Sequence, residues 1–202
     1  MVQKVQKALT TVLCDVGDVL IKFDRGVAGE IERRHGLAEG SLLPAVLKSP
    51  PGRLAMAGAI DHDTWRKEAG ALVGLGAVEE WLQYHGELDL EVVADLKAVR
   101  DRGARVVLLS NANGRLRADL AFHGVAGVAD LVLGSAEMRL LKPDPSCYQE
   151  AARLGGFGFP ETLYVDDTPS WVAAGKALGM TGHTFTSARA LHECLISKGL
   201  LS

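Results

Sequence analysis

The stretch TTVLCDVGDVLIKFD, residues 10–24, constrains the fold of this chain more than any other segment. It opens with Thr11–Cys14, an apolar run rich in β-branched residues, which predicts a buried strand. Asp15 follows where that strand must end, and Gly17 lets the backbone turn sharply. A carboxylate at the carboxyl end of a parallel strand points into the crevice where open α/β sheets bind ligands. An isolated Asp-Val-Gly is typical of a turn, but three further segments favour a functional role for Asp15.

The rest of the chain alternates short apolar runs with helical patterns. Further strands are predicted at residues 105–109, 129–133, 162–165 and 183–185. Helices are predicted from the N-cap Asp89 to Gly103, at 115–122, through Tyr148 to Gly155, at 170–178 and at 189–198. Strands that alternate with helices form right-handed βαβ units. The chain is therefore predicted to be an α/β protein with a Rossmann-like parallel sheet and helices on both faces.

Residues 24–87 break this alternation, because they contain helical spacing but no convincing strand. Asp61 or Asp63 is a candidate N-cap for a helix through Trp65, and the sequence SPPG at 49–52 marks a turn. We predict that this region is a small helical insert between the first and second strands of the core sheet. The predicted α/β core comprises residues 1–23 and 88–202.

Composition excludes several classes of function. The chain has 202 residues, a net charge of −3 and only 5% aromatic residues, and it has no basic block, so we expect no nucleic-acid partner. No apolar run is long enough to span a membrane, and the polar residues 1–8 do not begin a signal peptide. The cysteines at 14, 147 and 194 are odd in number and far apart, which indicates reduced thiols in a cytoplasmic protein. No histidines have the spacing of a zinc site.

Polar groups follow four of the predicted segments: Asp15, Ser110, Lys142 and the pair Asp166-Asp167. The carboxyl ends of parallel strands open on one rim, so these groups are expected to meet there. Two carboxylates at that rim can hold Mg²⁺, which prefers oxygen ligands, while a lysine and a serine can hold a phosphate. This set predicts phosphoryl transfer, in which Asp15 attacks phosphorus and forms an aspartyl-phosphate.

The same segments resemble the motifs of the haloacid dehalogenase superfamily of hydrolases, and they occur in that family's order. They read CDVGDVL around Asp15, LLSN ending at Ser110-Asn111, KPDPSCY from Lys142 and YVDDTPSWVAAGKALGM around Asp166-Asp167. The segment AGAIDHDTW, residues 57–65, is similar to a stretch in the helical cap of the subgroup with a cap after the first motif. The resemblance covers nearly the whole chain and implies a Mg²⁺-dependent hydrolase acting on a small phosphorylated molecule.

The resemblance also implies roles for individual residues. The implied ligands of Mg²⁺ are Asp15, the Gly17 carbonyl and Asp167. The implied catalytic residues are Asp15, Ser110 and Lys142, and the implied substrate-binding residues are Ser110, Asn111 and Lys142. Asp166 is expected to support the loop beside Asp167.

The chain departs from the common family pattern two residues after Asp15. Most phosphatases of the family have an aspartate there as general acid and base, whereas this chain has Gly17, followed by Asp18. The pattern Asp-x-Gly-x-Val-Leu resembles a subgroup that includes sugar-1-phosphate phosphatases. Loss of an acid–base residue costs about 10²- to 10⁴-fold in rate. The leaving group must therefore be good, or Asp18 must swing in, or catalysis must be slow.

Three functions remain open on this basis. The first is a phosphatase for a small phosphomonoester such as a sugar phosphate. The second is a 2-haloacid dehalogenase, which fits the Leu-Ser-Asn motif but not Asp166-Asp167, because those carboxylates would repel a carboxylate substrate. The third is a catalytically weak protein that binds a phosphorylated ligand. Gly17 and Trp171, which replaces an asparagine common in the family, motivate this third hypothesis.

Overall fold

A computed structural model describes residues 8–202, and the polar residues 1–7, where we expect no signal peptide, lie outside this range. The described strands are β1 Thr11–Cys14, β2 Ile21–Lys22, β3 Glu87–Leu88, β4 Arg105–Ser110, β5 Leu131–Gly134, β6 Thr162–Asp166 and β7 Thr181–Thr184. Five of them form a sheet in the order β5-β4-β1-β6-β7, in which every neighbouring pair is parallel. The predicted α/β class with a Rossmann-like parallel sheet is thus confirmed.

Ten α-helices accompany these strands in the described part of the chain. They are α1 Arg25–His35, α2 Pro50–Met56, α3 His62–Val73, α4 Leu75–Leu82, α5 Leu90–Asp101, α6 Leu116–Phe122, α7 Ser135–Met138, α8 Pro145–Gly155, α9 Pro169–Ala177 and α10 Ala188–Ser197. A π-helical turn, Pro44–Lys48, precedes α2, and a 3₁₀ turn, Phe159–Glu161, precedes β6. Asp61 and Asp89 cap α3 and α5 through their side chains, as their positions predict.

Hydrophobic side chains cover both faces of the sheet. Val12 and Cys14 of β1 point into one buried cluster, and Leu13 points into another on the opposite face. This alternation is what the period of a strand dictates, and it explains why the whole of β1 is buried. The central strand therefore carries Asp15, the next residue, to a fixed position at the rim.

Helices α1 to α4 have a hydrophobic cluster of their own, centred on the fully buried Trp65. The Trp65 indole Nε1 donates a hydrogen bond to the Val46 carbonyl at 3.0 Å, so its one polar atom is satisfied. Two short strands, β2 and β3, pair antiparallel where this helical unit leaves and rejoins the rest of the chain. Those strands were not predicted, because two residues each are too few to form a pattern.

The helical unit also contacts the sheet-containing part away from the β2–β3 pair. The Ser135 hydroxyl of α7 donates a hydrogen bond to the Met56 carbonyl of α2 at 2.7 Å. Gly58 approaches the Ala136 carbonyl so closely that a Cβ there would lie 2.0 Å from the oxygen. These contacts hold the helices over the rim of the sheet where Asp15 lies. Among residues 8–202, no helix is long and apolar enough to cross a lipid bilayer.

Candidate active site

Asp15 lies at the end of β1, the middle strand of the sheet, with β4 and β6 on either side. Its backbone N–H donates to the Val165 carbonyl at 2.9 Å, which continues the pairing of β1 with β6 by one residue. Its carboxylate Oδ1 accepts a hydrogen bond from the Val16 N–H at 2.7 Å. The carboxylate is therefore fixed by backbone groups at the carboxyl rim, as the strand pattern predicts.

Lys142 reaches the same point from the loop before α8. Its ammonium Nζ lies 2.9 Å from Asp15 Oδ1 and 2.7 Å from Asp166 Oδ2, and its side chain has no exposed surface. The ammonium also lies over the ring of Trp171, 4.7 Å from the ring centroid. A buried lysine without partners would be costly, so these two carboxylates and the aromatic face account for its position.

The Asn111 side chain holds the backbone of Lys142. Its Nδ2 donates to the Lys142 carbonyl, and its Oδ1 accepts from the Lys142 N–H, each at 2.8 Å. Asn111 also lines the cavity described below, so its predicted role in binding substrate stays a prediction. What the structure adds is a positioning contact between two of the four predicted segments.

The carboxylates of Asp15, Asp166 and Asp167 form an acidic cluster, in which one oxygen from each lies within 4.8 Å of the others. Three carboxylates beside a single ammonium leave an excess of negative charge. Hard oxygen donors with that excess fit Mg²⁺, which binds through carboxylates and keeps several waters. The bridge between Gly17 and Ile21 uses the Val16 carbonyl and the Asp18 N–H, which leaves the Gly17 carbonyl available as a further oxygen donor.

Asp166 has more contacts than its predicted supporting role requires. Its Oδ1 accepts from the Thr168 N–H at 2.9 Å, which supports the loop as expected. Its Oδ2 accepts from both the Lys142 ammonium and the Tyr164 hydroxyl, the latter at 2.5 Å. These donors stabilise the Asp166 carboxylate although the side chain is completely buried.

Burial and charge shift the pKa values of this group. Burial raises the pKa of Asp15 to about 6, while the Lys142 ammonium opposes that rise. Burial also raises the pKa of Asp167, where neighbouring carboxylates add to the effect. Burial would lower the pKa of Lys142, but the charges of Asp15 and Asp166 outweigh it and raise that pKa. The carboxylate pKa values thus shift as expected for buried acids beside like charges, and the lysine pKa shifts as expected for a cation beside two carboxylates.

The structure has open space at Gly17, the position where most phosphatases of the family have an acid–base aspartate. A Cβ built on Gly17 would have no heavy atom within 4 Å. The next residue, Asp18, has a left-handed backbone, with φ of 55°, and its Oδ1 accepts a hydrogen bond from the Phe23 N–H at 3.2 Å. Asp18 thus closes the turn after β1, and its carboxylate is held by that turn.

A cavity of about 410 Å³ lies between this rim and the helical unit. Gly17, Ser110 and Asn111 line it on the side of the sheet, and Ser110 ends β4 as predicted. Apolar and aromatic side chains, among them Phe23 and Trp81, line the opposite side. The volume is that of a small-molecule site.

Sequence reasoning missed one polar cluster in the cavity wall. Asp119 Oδ1 accepts from Arg115 Nη2 at 3.0 Å and lies 2.7 Å from His85 Nδ1, and the Arg115 guanidinium lies 5.5 Å from the Trp81 ring centroid. This cluster joins α6 to α4 and the segment after it. Arg115 and Asp119 are four residues apart on a helix, and this spacing predicts their ion pair. The contacts of this pair with His85 and Trp81 have no such local signal.

The buried Lys142 and the three carboxylates thus lie together at the carboxyl rim of a parallel sheet, where α/β proteins bind their ligands. The chain belongs to the haloacid dehalogenase-like hydrolase family, whose model matches residues 9–179. The resemblance of the four motifs to this family is thereby confirmed.

Several curated proteins share part or most of this sequence. The D-ribitol-5-phosphate phosphatase of Bacteroides thetaiotaomicron is 26% identical over 184 residues, covering 85% of this chain and 89% of the relative. The phosphoglycolate phosphatase 1 of Pseudomonas aeruginosa is 27% identical over 169 residues, 82% of this chain and 59% of the relative. The haloacetate dehalogenase H-2 of Moraxella sp. is 31% identical over 90 residues, 44% of this chain and 40% of the relative. The match thus spans only about half of the length of some of these relatives.

Solved structures share the fold. The family enzyme bt-2542 of Bacteroides thetaiotaomicron, in complex with magnesium and inorganic phosphate, superposes with a TM-score of 0.75 at 20% identity, covering 89% of this chain and 95% of that one. The L-2-haloacid dehalogenase of Xanthobacter autotrophicus superposes with a TM-score of 0.66 at 20% identity, covering 96% and 85%. A family enzyme solved with magnesium and phosphate and a haloacid dehalogenase therefore share this architecture, so the fold alone does not separate the activities of the family.

Proposed function

We propose that this protein is a Mg²⁺-dependent phosphatase that hydrolyses a small phosphomonoester through an aspartyl-phosphate on Asp15. The acidic cluster beside Lys142 is the observation that carries the proposal. The proposed metal ligands are Asp15, the Gly17 carbonyl and Asp167. Magnesium-bound and phosphatase relatives of the same family support this reading.

Each residue of the site has a proposed role in binding or catalysis. Asp15 is the proposed nucleophile, and the backbone N–H of Val16 and the Lys142 ammonium hold its Oδ1 in place. Ser110 and Lys142 are the proposed holders of the phosphoryl oxygens. When bound, Mg²⁺ offsets the charge of the transferring phosphoryl group and of the carboxylates. The helical unit at residues 24–87 is the proposed cap, and it limits the access of water to the reacting atoms.

The proposed partner is a small phosphorylated molecule in the cytoplasm. The cysteines at 14, 147 and 194 are free, which suits a reducing compartment. The chain has no block of basic residues that would favour nucleic acid.

Phosphate release from a panel of phosphomonoesters, with Mg²⁺ and with a chelator, tests the proposal. Turnover is expected only with the cation, and Asp15→Asn should abolish it, because the amide cannot act as the nucleophile. The Asp101→Asn variant is a matched control, since Asp101 is exposed at the end of α5. The absence of metal-dependent phosphate release from every member of the panel would refute the proposal.

A dehalogenase is the second candidate, because haloacid dehalogenases are among the relatives in sequence and fold. The acidic cluster argues against it, since a haloacid substrate brings another carboxylate to a site already rich in negative charge. Halide release from chloroacetate without added metal would favour this candidate. Tight binding of inorganic phosphate without turnover of any ester would instead favour a binding protein.

A further inference from the structure

We infer that Tyr84 is the general acid of the reaction, and that its phenolic O–H protonates the leaving oxygen of the substrate. This inference rests on the proposed phosphatase function, and it extends that function to esters of ordinary aliphatic alcohols, whose leaving oxygen needs a proton. It depends on the position of the Tyr84 hydroxyl in the cavity and on the fact that the hydroxyl proton has no partner in residues 8–202.

Tyr84 lies in the segment between α4 and β3, and it lines the cavity together with Gly17. Its hydroxyl oxygen accepts a hydrogen bond from the Asp24 N–H at 2.8 Å. The N–H of the preceding residue, Phe23, donates to Asp18 Oδ1 at 3.2 Å. Two consecutive N–H groups therefore connect the Tyr84 hydroxyl to the turn that contains Gly17 and Asp18. The hydroxyl is thus close in space to the open position at Gly17, where most phosphatases of the family have their acid–base aspartate.

The geometry of phosphoryl transfer requires an acid on this side of the cavity. The attacking and leaving oxygens lie roughly in line through phosphorus. Asp15 attacks from the carboxyl rim of the sheet, so the leaving oxygen faces away from the rim and toward the helical unit. Tyr84 belongs to the segment that returns from that unit to β3, and it lines the cavity between the unit and the rim. The Tyr84 O–H is therefore on the side where the leaving oxygen departs.

Two contacts hold the Tyr84 ring in this place. The rings of Phe23 and Tyr84 meet edge to face, with 6.1 Å between their centroids and an angle of 84° between their planes. β2 and β3 pair antiparallel, which fixes the two linkers that carry these rings. The hydroxyl therefore keeps its position without a rearrangement of the helical unit, and a preorganised donor needs no further ordering when substrate binds.

The proton of the Tyr84 hydroxyl is available for transfer. A phenolic hydroxyl can accept and donate hydrogen bonds at the same time. Here the oxygen accepts from the Asp24 N–H, and within residues 8–202 the hydroxyl donates to no protein acceptor. The same N–H stabilises the negative charge that the oxygen carries once its proton has left. The contact therefore positions the hydroxyl before the transfer and stabilises the phenolate after it.

The acidity of a phenol suits an aliphatic ester. An aliphatic alkoxide is about as basic as hydroxide, whose conjugate acid has a pKa of about 15.7, whereas the reference pKa of a tyrosine phenol is about 10. Proton transfer from a phenol to a departing alkoxide is therefore downhill. A positioned acid contributes about 10²- to 10⁴-fold in rate, and tyrosine is among the side chains that serve as one.

The atoms and charges balance when Tyr84 carries the proton. In the first step Asp15 attacks phosphorus, the bond from phosphorus to the alkyl oxygen breaks, and its electron pair takes the proton of the Tyr84 hydroxyl. An alcohol leaves, and an aspartyl-phosphate and a tyrosine phenolate remain. In the second step water attacks phosphorus and gives a proton to the phenolate, and the bond to Asp15 breaks. The products are hydrogen phosphate, the Asp15 carboxylate and the Tyr84 phenol.

Tyr84→Phe tests the inference in the full-length protein with Mg²⁺, because it removes the hydroxyl and keeps the ring. The leaving group of benzyl phosphate is an alkoxide, and that of p-nitrophenyl phosphate is a weakly basic phenolate that needs no proton. We expect Tyr84→Phe to lower kcat/KM for benzyl phosphate by at least about 10²-fold more than for p-nitrophenyl phosphate. The readout is kcat/KM because it covers the reaction only up to the departure of the leaving group, so a slower second step does not change it.

An equal loss for both esters overturns the inference, because a hydroxyl that only binds or packs affects both alike. Unchanged kcat/KM for benzyl phosphate also overturns it, as does a wild-type enzyme that hydrolyses p-nitrophenyl phosphate but not benzyl phosphate. Leu154→Ala is the control and should change neither value, because Leu154 is an exposed apolar residue on α8 outside the cavity. Failure of the wild type to hydrolyse even p-nitrophenyl phosphate is a different result, because it refutes the phosphatase function itself.

A measurement on the wild type covers the case in which Tyr84→Phe does not fold. Proton transfer in the first step should make kcat/KM for benzyl phosphate fall more in heavy water than kcat/KM for p-nitrophenyl phosphate. The same ratio of the two values in both solvents overturns the inference.

Discussion

The Lys142 ammonium lies over the Trp171 ring, 4.7 Å from its centroid. The carboxylates of Asp15 and Asp166 contact the same ammonium. The lysine is completely buried, so the ring replaces water that would otherwise solvate the third N–H. Trp171 is thus a positioning residue for Lys142, whereas the sequence showed only that a tryptophan replaces an asparagine common in the family.

Replacing this ring should lower activity through the lysine. A desolvated cation–π contact is worth about 2 kcal/mol, so Trp171→Leu should lower kcat/KM by up to about 30-fold. Trp171→Phe keeps an aromatic face and should restore most of the activity. Steady-state kinetics on the two variants, with thermal unfolding as a check on folding, make the comparison. Equal activity of both variants would mean that Trp171 only packs.

Removing the lysine itself should destabilise the protein. Lys142→Met leaves Asp15 and Asp166 buried without their ammonium, and breaking such a buried pair costs about 3–5 kcal/mol. Urea unfolding in a chelator measures this loss, because no cation can then replace the lysine. The double variant Asp15→Asn/Lys142→Met has one buried charge fewer and should recover part of the stability. A double variant no more stable than Lys142→Met would contradict the charge argument.

The depressed pKa of Asp130 predicts a pH dependence of stability. Burial alone would raise this pKa, but hydrogen bonds from the Val106 N–H at 2.8 Å and from Arg100 lower it below its usual value. A lowered pKa in the folded state means stability that is present above the unfolded pKa, about 3.9, and lost as pH falls through the folded pKa. Asp130→Asn should therefore destabilise the protein at pH 7, and the difference should vanish near pH 2.

Chemical unfolding of wild type and Asp130→Asn at several pH values checks this dependence. Asp101→Asn is a suitable control, because Asp101 is exposed at the end of α5. A constant difference between wild type and Asp130→Asn across the pH range would show that the pKa shift has no effect on stability.

Elements with strong local patterns were predictable from the sequence, and those at the edge of the sheet were less so. β1 occurs within its predicted bounds because all four residues are apolar or β-branched and buried. β7 was predicted at 183–185 and is found at Thr181–Thr184, because its residues are only half-buried and Gly182 gives no apolar signal. The four-residue helix α7 is too short to form a period, and it was not predicted.

Within the candidate site, too, residues at strand ends were predictable from the sequence, whereas contacts between distant side chains were not. Parallel strand ends dictated that Asp15, Lys142 and the pair Asp166-Asp167 should meet, and the structure brings them together. The clamp of Asn111 on the Lys142 backbone joins residues 31 positions apart, and no local pattern encodes it. Such contacts depend on the direction of single side chains in the folded state.

Close packing of the helical unit against α7 gives a last prediction, on Gly58. Its φ is +65°, and an added Cβ would lie 2.0 Å from the Ala136 carbonyl oxygen. Gly58→Ala should therefore carry a backbone cost of about 1–2 kcal/mol and a further overpacking cost of about 1–3 kcal/mol. Gly124→Ala isolates the backbone cost, since Gly124 has a φ of +66° and open space around its Cβ. Urea unfolding should show a larger loss for Gly58→Ala than for Gly124→Ala, and activity should fall with it because the cavity wall moves. Equal losses in the two variants would mean that the helices do not depend on this contact.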